Sequence, residues 1–141
     1  MPAQELWEVI VDPHHLPRWW PRVGRVEDVE EGAFTEVMAT RKGKLVRADF
    51  DLVECDERER VVRWRQRVDG TPFERVLQSA ETEVRLQDAQ ARHDGDARTD
   101  VTIELHQVLR GLSTRFGAFM VRRAAAATIE EALDGLERIS G

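Results

Sequence analysis

Apolar residues change their spacing twice along this chain, from a helical period to an alternating one and back. Within residues 2–11 they follow the spacing of one helix face: Ala3, Leu6, Trp7 and Ile10. That spacing predicts a short amphipathic helix. Asp12-Pro13 should end it, because a residue that precedes proline is pushed out of the α conformation.

Alternation with a period of two occupies the middle of the chain, which is typical of strands with one buried face. It predicts six strands: Arg25–Glu30, Thr35–Arg41, Leu45–Glu54, Val61–Val68, Phe73–Leu86 and Thr99–Leu109. Short turns rich in Gly and Asp separate them, and such residues supply the positive φ of tight hairpins. The pattern therefore predicts an antiparallel meander. Inside the fifth segment the apolar residues switch from odd to even positions, and we therefore expect a bulge near Gln78–Thr82.

The hairpin around Asp56–Arg58 also predicts a register. A three-residue loop would place Phe50 opposite Trp64 on an apolar face and Asp51 opposite Arg63 on a charged face. Both faces are consistent with this one register, and the charged face should meet solvent.

The longest periodic segment, about Leu112 to Ile139, predicts a C-terminal helix. Its apolar stripe comprises Phe116, Phe119, Met120, Ala127, Leu133, Leu136 and Ile139. Basic residues come early in this segment and acidic residues late, which opposes the helix macrodipole. Packing against the sheet, rather than intrinsic helicity, is therefore expected to hold the helix. We expect Ser113 to cap its first turn.

Length and charge restrict the class of protein. The chain has 141 residues, which suits a single domain over 1–141, and 41% of them are hydrophobic. Its net charge of −6 argues against a nucleic-acid partner, whose phosphates attract clustered Lys and Arg. Cys55 is the only cysteine, so no intrachain disulfide can form. The sequence lacks a signal-peptide pattern and a membrane-length apolar run, and we expect a cytoplasmic protein.

Catalytic chemistry is weakly signalled. Adjacent His14 and His15 lack spaced partner ligands, so we predict no metal site, and no cofactor motif is present. The sequence contains no tyrosine, and neither an acid nor a histidine falls on the interpreted apolar faces. General acid–base chemistry would then rest on Arg, Gln or water. No catalytic residue is assigned.

Polar residues on apolar faces are better candidates for a ligand site. Gln66 shares a face with Trp64. The position of the bulge decides whether Arg75 or Gln78 joins that face. Arg123 is expected to point from the helix toward the sheet. A few polar groups in an apolar pocket are typical of ligand binding. The alternative is that these polar tips reach solvent at the end of the sheet. The predicted ligand-binding residues are Trp19, Phe50, Trp64, Gln66, Arg75, Leu105, Phe116, Met120 and Arg123.

The order of elements and several short segments resemble a known superfamily. These segments are Leu6-Trp7-Glu8-Val9, Leu16-Pro17-Arg18-Trp19-Trp20-Pro21, Val62-Arg63-Trp64 and Phe116-Gly117-Ala118-Phe119-Met120. The chain is similar over its whole length to the START-like (Bet v 1-like, SRPBCC) superfamily, polyketide cyclase/dehydrase-like group. That resemblance implies an α+β helix-grip fold, in which a curved antiparallel sheet surrounds a long C-terminal helix. A cavity between them would hold lipids, sterols, quinones or polyketides.

One family feature is missing from this sequence. Relatives carry a strand before the first helix that helps close the sheet, whereas here the helix comes first. Either the start codon is set too late, or the protein leaves the two flanking sheet edges unpaired. Two unpaired edges would invite pairing between chains, so a homodimer or low solubility is expected.

The leading hypothesis for function is binding of a small hydrophobic molecule in the family's cavity. Resemblance also leaves open a polyketide aromatase/cyclase or dehydratase. The third alternative is a partner-binding protein of the quinone-associated or toxin-like type.

Overall fold

The predicted N-terminal helix is present. A computed structural model describes residues 1–40, 42–89, 98–111 and 115–141. In it, helix α1 spans Ala3–Val11 and buries the expected face: Ala3, Leu6, Trp7 and Ile10. A 3₁₀ turn, Pro13–His15, follows, and the Asp12 side chain accepts a hydrogen bond from the backbone N–H of His14. One more helical turn, α2 (Leu16–Trp19), leads into the sheet.

Six antiparallel strands form one sheet in chain order, which confirms the predicted meander. They are β1 (Val23–Glu30), β2 (Ala33–Ala39), β3 (Leu45–Asp56), β4 (Val61–Gln66), β5 (Leu77–Ala89) and β6 (Arg98–Leu109). Phe73, expected in the fifth strand, lies instead in a 3₁₀ turn, Pro72–Arg75, capped by Thr71. The expected bulge occurs between Leu77 and Ser79. The predicted end of the second strand, Arg41, lies outside the described residues.

The predicted register of the β3–β4 hairpin is wrong by two residues. Phe50 lies opposite Gln66, and Leu52 lies opposite Trp64. Two features cause the difference: the turn contains four residues, 57–60, and a bulge interrupts β3 between Leu52 and Glu54. Because a shift by two residues preserves the face of each side chain, the apolar and charged faces remain as predicted.

The C-terminal helix, α3 (Arg115–Ser140), packs through its second half. Its buried residues are Ala132, Gly135 and Leu136. A Cβ atom at Gly135 would lie 2.3 Å from the backbone oxygen of Trp19, so only glycine permits this close approach of α3 to α2. The expected Ser113 cap and the expected start at Leu112 lie outside the described residues.

The first half of α3 leaves its apolar side chains exposed. Phe116 is 72% exposed, and Phe119 and Met120 are 50% and 47% exposed. The apolar stripe of α3 is therefore buried only toward its C-terminal end, and not along its whole length as its spacing predicted. The main core lies elsewhere, between the sheet and helices α1 and α2, with contributions from the second half of α3.

Candidate functional site

A small cavity lies between α2 and the inner face of the sheet. Its volume is about 30 Å³, enough for a water molecule or one functional group. Strands β2, β3, β4 and β5 and helix α2 provide its lining residues: Leu16, Trp20, Phe34, Glu36, Phe50, Trp64 and Thr82. No described residue of α3 lines it, so the site differs from the cavity expected beneath the C-terminal helix.

Aromatic rings form one wall of this cavity. Phe34 and Phe50 are directly opposite each other on β2 and β3, and their rings stack at a centroid distance of 5.3 Å. The edge of Trp64 meets Phe34 at 6.2 Å with perpendicular ring planes. Such offset and edge-to-face arrangements are favourable and hold the rings in place. The wall is therefore a preformed apolar surface.

Glu36 is the ionisable residue of the cavity lining. It is 5% exposed, and its direct strand partners are Val26 on β1 and Ala48 on β3. Among the described residues, none forms a hydrogen bond or ion pair with its carboxyl group. Burial without a compensating charge raises the pKa of Glu36 to about 8. The side chain is therefore largely a neutral carboxylic acid at neutral pH.

The sequence interpretation that no acid lies inside the apolar faces is wrong at Glu36. A signal was present, because Phe34, Glu36 and Met38 share one parity in β2. The neighbouring Thr35 and Val37 are buried as well, at 5% and 3% exposure. Because residues without charge occupy both the odd and the even positions of β2, alternation did not reveal which face of the strand was the inner one.

Two of the predicted ligand-binding residues, Phe50 and Trp64, line the cavity together. A third, Trp19, lies in the core at 2% exposure, and its indole N–H has no hydrogen-bond partner among the described residues. Its neighbour Trp20 is half-buried and lines the cavity instead, with the two rings in edge contact at 5.4 Å. Trp19 therefore takes the inward position of this pair, and Trp20 meets the cavity.

Three further predicted ligand-binding residues, Gln66, Arg75 and Leu105, do not line the cavity. Gln66 borders a separate hollow of about 370 Å³ at the end of the sheet, and its side-chain nitrogen is buried without a hydrogen-bond partner in the described part of the chain. Arg75 is exposed in the 3₁₀ turn, which contradicts its placement on the inner face. Leu105 is half-buried on β6, opposite Thr82.

The predicted contributions of α3 to the site are contradicted by the geometry. Phe116, Met120 and Arg123 are all exposed, and none lines the cavity. The cause is the close contact at Gly135, which anchors only the second half of α3 to the rest of the protein.

Another group of side chains lies on the outer face of the sheet. Glu83, Glu104 and His106 bring three potential metal ligand atoms within 4.8 Å of one another. Local contacts account for this cluster: His106 Nε2 lies within hydrogen-bond distance of Glu104, at 3.0 Å, and Arg85 forms an ion pair with Glu83 at 3.3 Å. We therefore interpret it as part of the solvated charged face.

Comparisons with known proteins agree with this architecture. The model of the family described as "Polyketide cyclase / dehydrase and lipid transport" matches residues 1–141. No curated protein sequence matches significantly. None of the described helices has the length and apolar character to cross a membrane.

Three solved structures illustrate the likeness of the fold. The di-domain ARO/CYC BexL from the BE-7585A biosynthetic pathway has a TM-score of 0.69 at 19% identity, and the match covers 97% of this chain. This chain spans 42% of that protein. A conserved protein from Geobacillus kaustophilus has a TM-score of 0.70 at 14% identity, with 97% of this chain and 86% of that chain covered. For Ara h 8.0201 the TM-score is 0.61 at 16% identity, with coverage of 98% and 91%.

These neighbours share the helix-grip architecture of a curved antiparallel sheet and a C-terminal helix, so the predicted fold class is confirmed. The whole-length family match also confirms the START-like resemblance. The chain belongs to the polyketide cyclase/dehydrase and lipid transport family.

Proposed function

We propose that this protein binds a small hydrophobic ligand, lipid-, quinone- or polyketide-like, at the aromatic cavity beside α2. The observation that carries the proposal is the combination of stacked Phe34 and Phe50, the edge of Trp64 and one unpaired polar group, Glu36. Apolar walls with few polar groups are typical of small-molecule sites. Membership of a family described by cyclisation, dehydration and lipid transport supports the same class of ligand.

Binding requires the cavity to enlarge. A volume of about 30 Å³ does not hold a ring system. Trp20 is half-buried and directly follows the last residue of the four-residue helix α2. The other aromatic lining residues belong to strands of the sheet, so we expect the Trp20 side chain to move when a ligand enters.

The test is binding of fatty acids, quinones and aromatic polyketides, measured by native mass spectrometry and equilibrium dialysis. Trp20→Ala and Trp64→Leu should change affinity for the retained class. Phe119→Ala is the matched control, because Phe119 is an exposed aromatic residue on α3, away from the cavity. Equal loss in the control would move the site to the C-terminal helix, and retention of none of the ligands would reject the function.

A second candidate is an aromatase/cyclase or dehydratase, and Glu36 is the observation that favours it. A carboxyl with a pKa of about 8 is populated in both protonation states near neutral pH, as a general acid–base group should be. In dehydration of a β-hydroxy ketone, such a carboxylate could accept the α-proton and return it to the leaving hydroxyl, which gives an enone and water. Formation of the enone, followed by absorbance, should be lost in Glu36→Gln.

The homodimer stays a prediction. Among the described residues, β1 and β6 each pair with a strand on one side only. Exposed strand edges favour association between chains. Light scattering over a range of concentrations tests it, and a monomer at the highest concentration would contradict it.

A further inference from the structure

Glu36 stands out chemically within its own cavity. The other lining residues carry no ionisable group, and their polar side-chain groups are the hydroxyl of Thr82 and the indole N–H groups of Trp20 and Trp64. The nearest charged residues in sequence on the neighbouring strands flank Val26 and Ala48, the strand partners of Glu36, and they are Arg25, Glu27, Arg47 and Asp49. They pair with Thr35 or Val37, and so extend from the opposite face of the sheet. No described charge therefore compensates Glu36 from inside the protein.

An unpaired acid in such a place costs stability, because a buried polar group without a partner loses its hydrogen bonds to water. The alternation of β2 aims this side chain at the same face as Phe34, whose ring forms the aromatic wall. A ligand that fills the cavity would therefore bring one atom against the carboxyl group. The chemistry of that atom decides whether the contact is favourable.

A protonated carboxyl group offers one O–H donor, and an ionised one accepts only. Burial keeps Glu36 in the protonated form at neutral pH. A ligand carbonyl oxygen can accept a hydrogen bond from this O–H group without bringing a charge into the cavity. A ligand carboxylate would enter this apolar site as a buried anion with no described cation to compensate it, and that burial costs far more than burial of a neutral carbonyl group.

We propose that Glu36 selects neutral ligands that carry a carbonyl oxygen, to which it donates a hydrogen bond, and that it rejects carboxylates. This inference rests on the proposed binding function and narrows it, from hydrophobic molecules in general to ketone- or quinone-like ones. Within the ligand classes considered above, it disfavours free fatty acids.

The experiment uses one scaffold with four substituents: 2-acetylnaphthalene, 2-ethylnaphthalene, 2-naphthoate and 2-naphthylmethylamine. Equilibrium dialysis gives their affinities near pH 6.5 and near pH 9.5, on either side of the pKa of about 8. We expect the ketone to bind about fivefold more tightly than the hydrocarbon at the lower pH, the ratio that an ordinary hydrogen bond provides. That advantage should disappear at the higher pH, where Glu36 is ionised, and the naphthoate should bind most weakly at both.

Three variants assign the effect to Glu36. Glu36→Leu should bind the ketone and the hydrocarbon equally, at both pH values. Glu36→Gln keeps an N–H donor but does not titrate, so it should retain the ketone preference at both pH values. Glu104→Gln removes an exposed glutamate on β6 and should match the parent protein.

The possible outcomes distinguish failure of this inference from failure of the proposed binding function. If none of the four compounds binds, the binding function at this cavity fails. If the hydrocarbon binds and the ketone gains nothing, or the ketone preference survives in Glu36→Leu, the role of Glu36 is wrong while binding stands. Tightest binding of the amine near pH 6.5 would also overturn the inference, because it would show that Glu36 is already an anion at that pH.

Discussion

Two carboxyl groups on neighbouring strands show how differently the faces of this sheet treat the same chemistry. Asp51, on β3, extends from the outer face and accepts two hydrogen bonds from Arg67, at 2.6 and 2.8 Å. Those bonds hold the pKa of Asp51 below its ordinary value. Glu36, on β2, lies on the inner face without such a partner, and burial raises its pKa to about 8.

The comparison separates residues that serve solubility from those that suggest a site. Outer-face acids meet arginines across the strands, as Glu54 meets Arg63 at 2.6 Å, and each partner remains partly exposed. Such pairs contribute little to stability. Glu36 opposes stability, and an acid retained in a cavity at such a cost is a candidate for function.

The largest difference between the faces should appear when Trp64 is replaced. Trp64 is 4% exposed on the inner face, and Trp64→Ala should lower the free energy of unfolding by about 4 kcal/mol through lost packing. Arg65→Ala, the next residue on the outer face, is the control and should cost less than about 1 kcal/mol. Urea denaturation measures both, and equal losses would contradict the assignment of faces.

Glu36→Gln should stabilise the protein by about 3 kcal/mol at pH 7, since each unit of pKa shift corresponds to about 1.4 kcal/mol. The folded protein binds a proton at Glu36 that the unfolded chain, with a pKa near 4.5, has lost. Stability should therefore fall as pH rises from about 4.5 to about 8, by roughly 5 kcal/mol in all. In Glu36→Gln this contribution should vanish.

Denaturation midpoints near pH 5.5 and near pH 8.5 measure this dependence, and NMR titration of the Glu36 carboxyl gives its pKa directly. Glu104→Gln serves as the control, because Glu104 is half exposed. The change in stability of Glu36→Gln between the two pH values is subtracted from that of the parent protein. If the parent protein is then as stable at the higher pH as at the lower, Glu36 is hydrated or paired.

The cover of the inner face depends on Gly135. Gly135→Ala would press a methyl group into the backbone of Trp19 and should cost about 2 kcal/mol, the range of overpacking. Gly24→Ala is the matched control, because its nearest neighbour would be the Val37 oxygen at 3.8 Å, an ordinary contact. Thermal unfolding distinguishes the two, and a neutral Gly135→Ala would mean that α3 can move away from α2.

The smallest effect is expected on the outer face. A double-mutant cycle with Glu54→Ala and Arg63→Ala should give a coupling of about 0.5 kcal/mol, which decreases in high salt. A coupling several times larger would show that the outer charges contribute to folding as strongly as the inner packing does.

Local pattern was sufficient for much of the fold. Alternation predicted the six strands and their order, and helical spacing predicted α1 and the C-terminal helix α3. The switch of apolar residues from odd to even positions predicted the bulge near Gln78. These features depend on residues close together in the chain. Family resemblance added the helix-grip architecture, because the order of elements spans the whole sequence.

Tertiary structure alone decided the register, the packed half of α3 and the environment of Glu36. The register followed from a four-residue turn and a bulge, which the cross-strand patterns had not distinguished from a shorter loop. The packed half of α3 followed from one close approach at Gly135. Glu36 became the centre of the candidate site because α2 and four strands together bury it to 5% exposure. Burial of this kind depends on elements far apart in sequence, and alternation along one strand does not contain it.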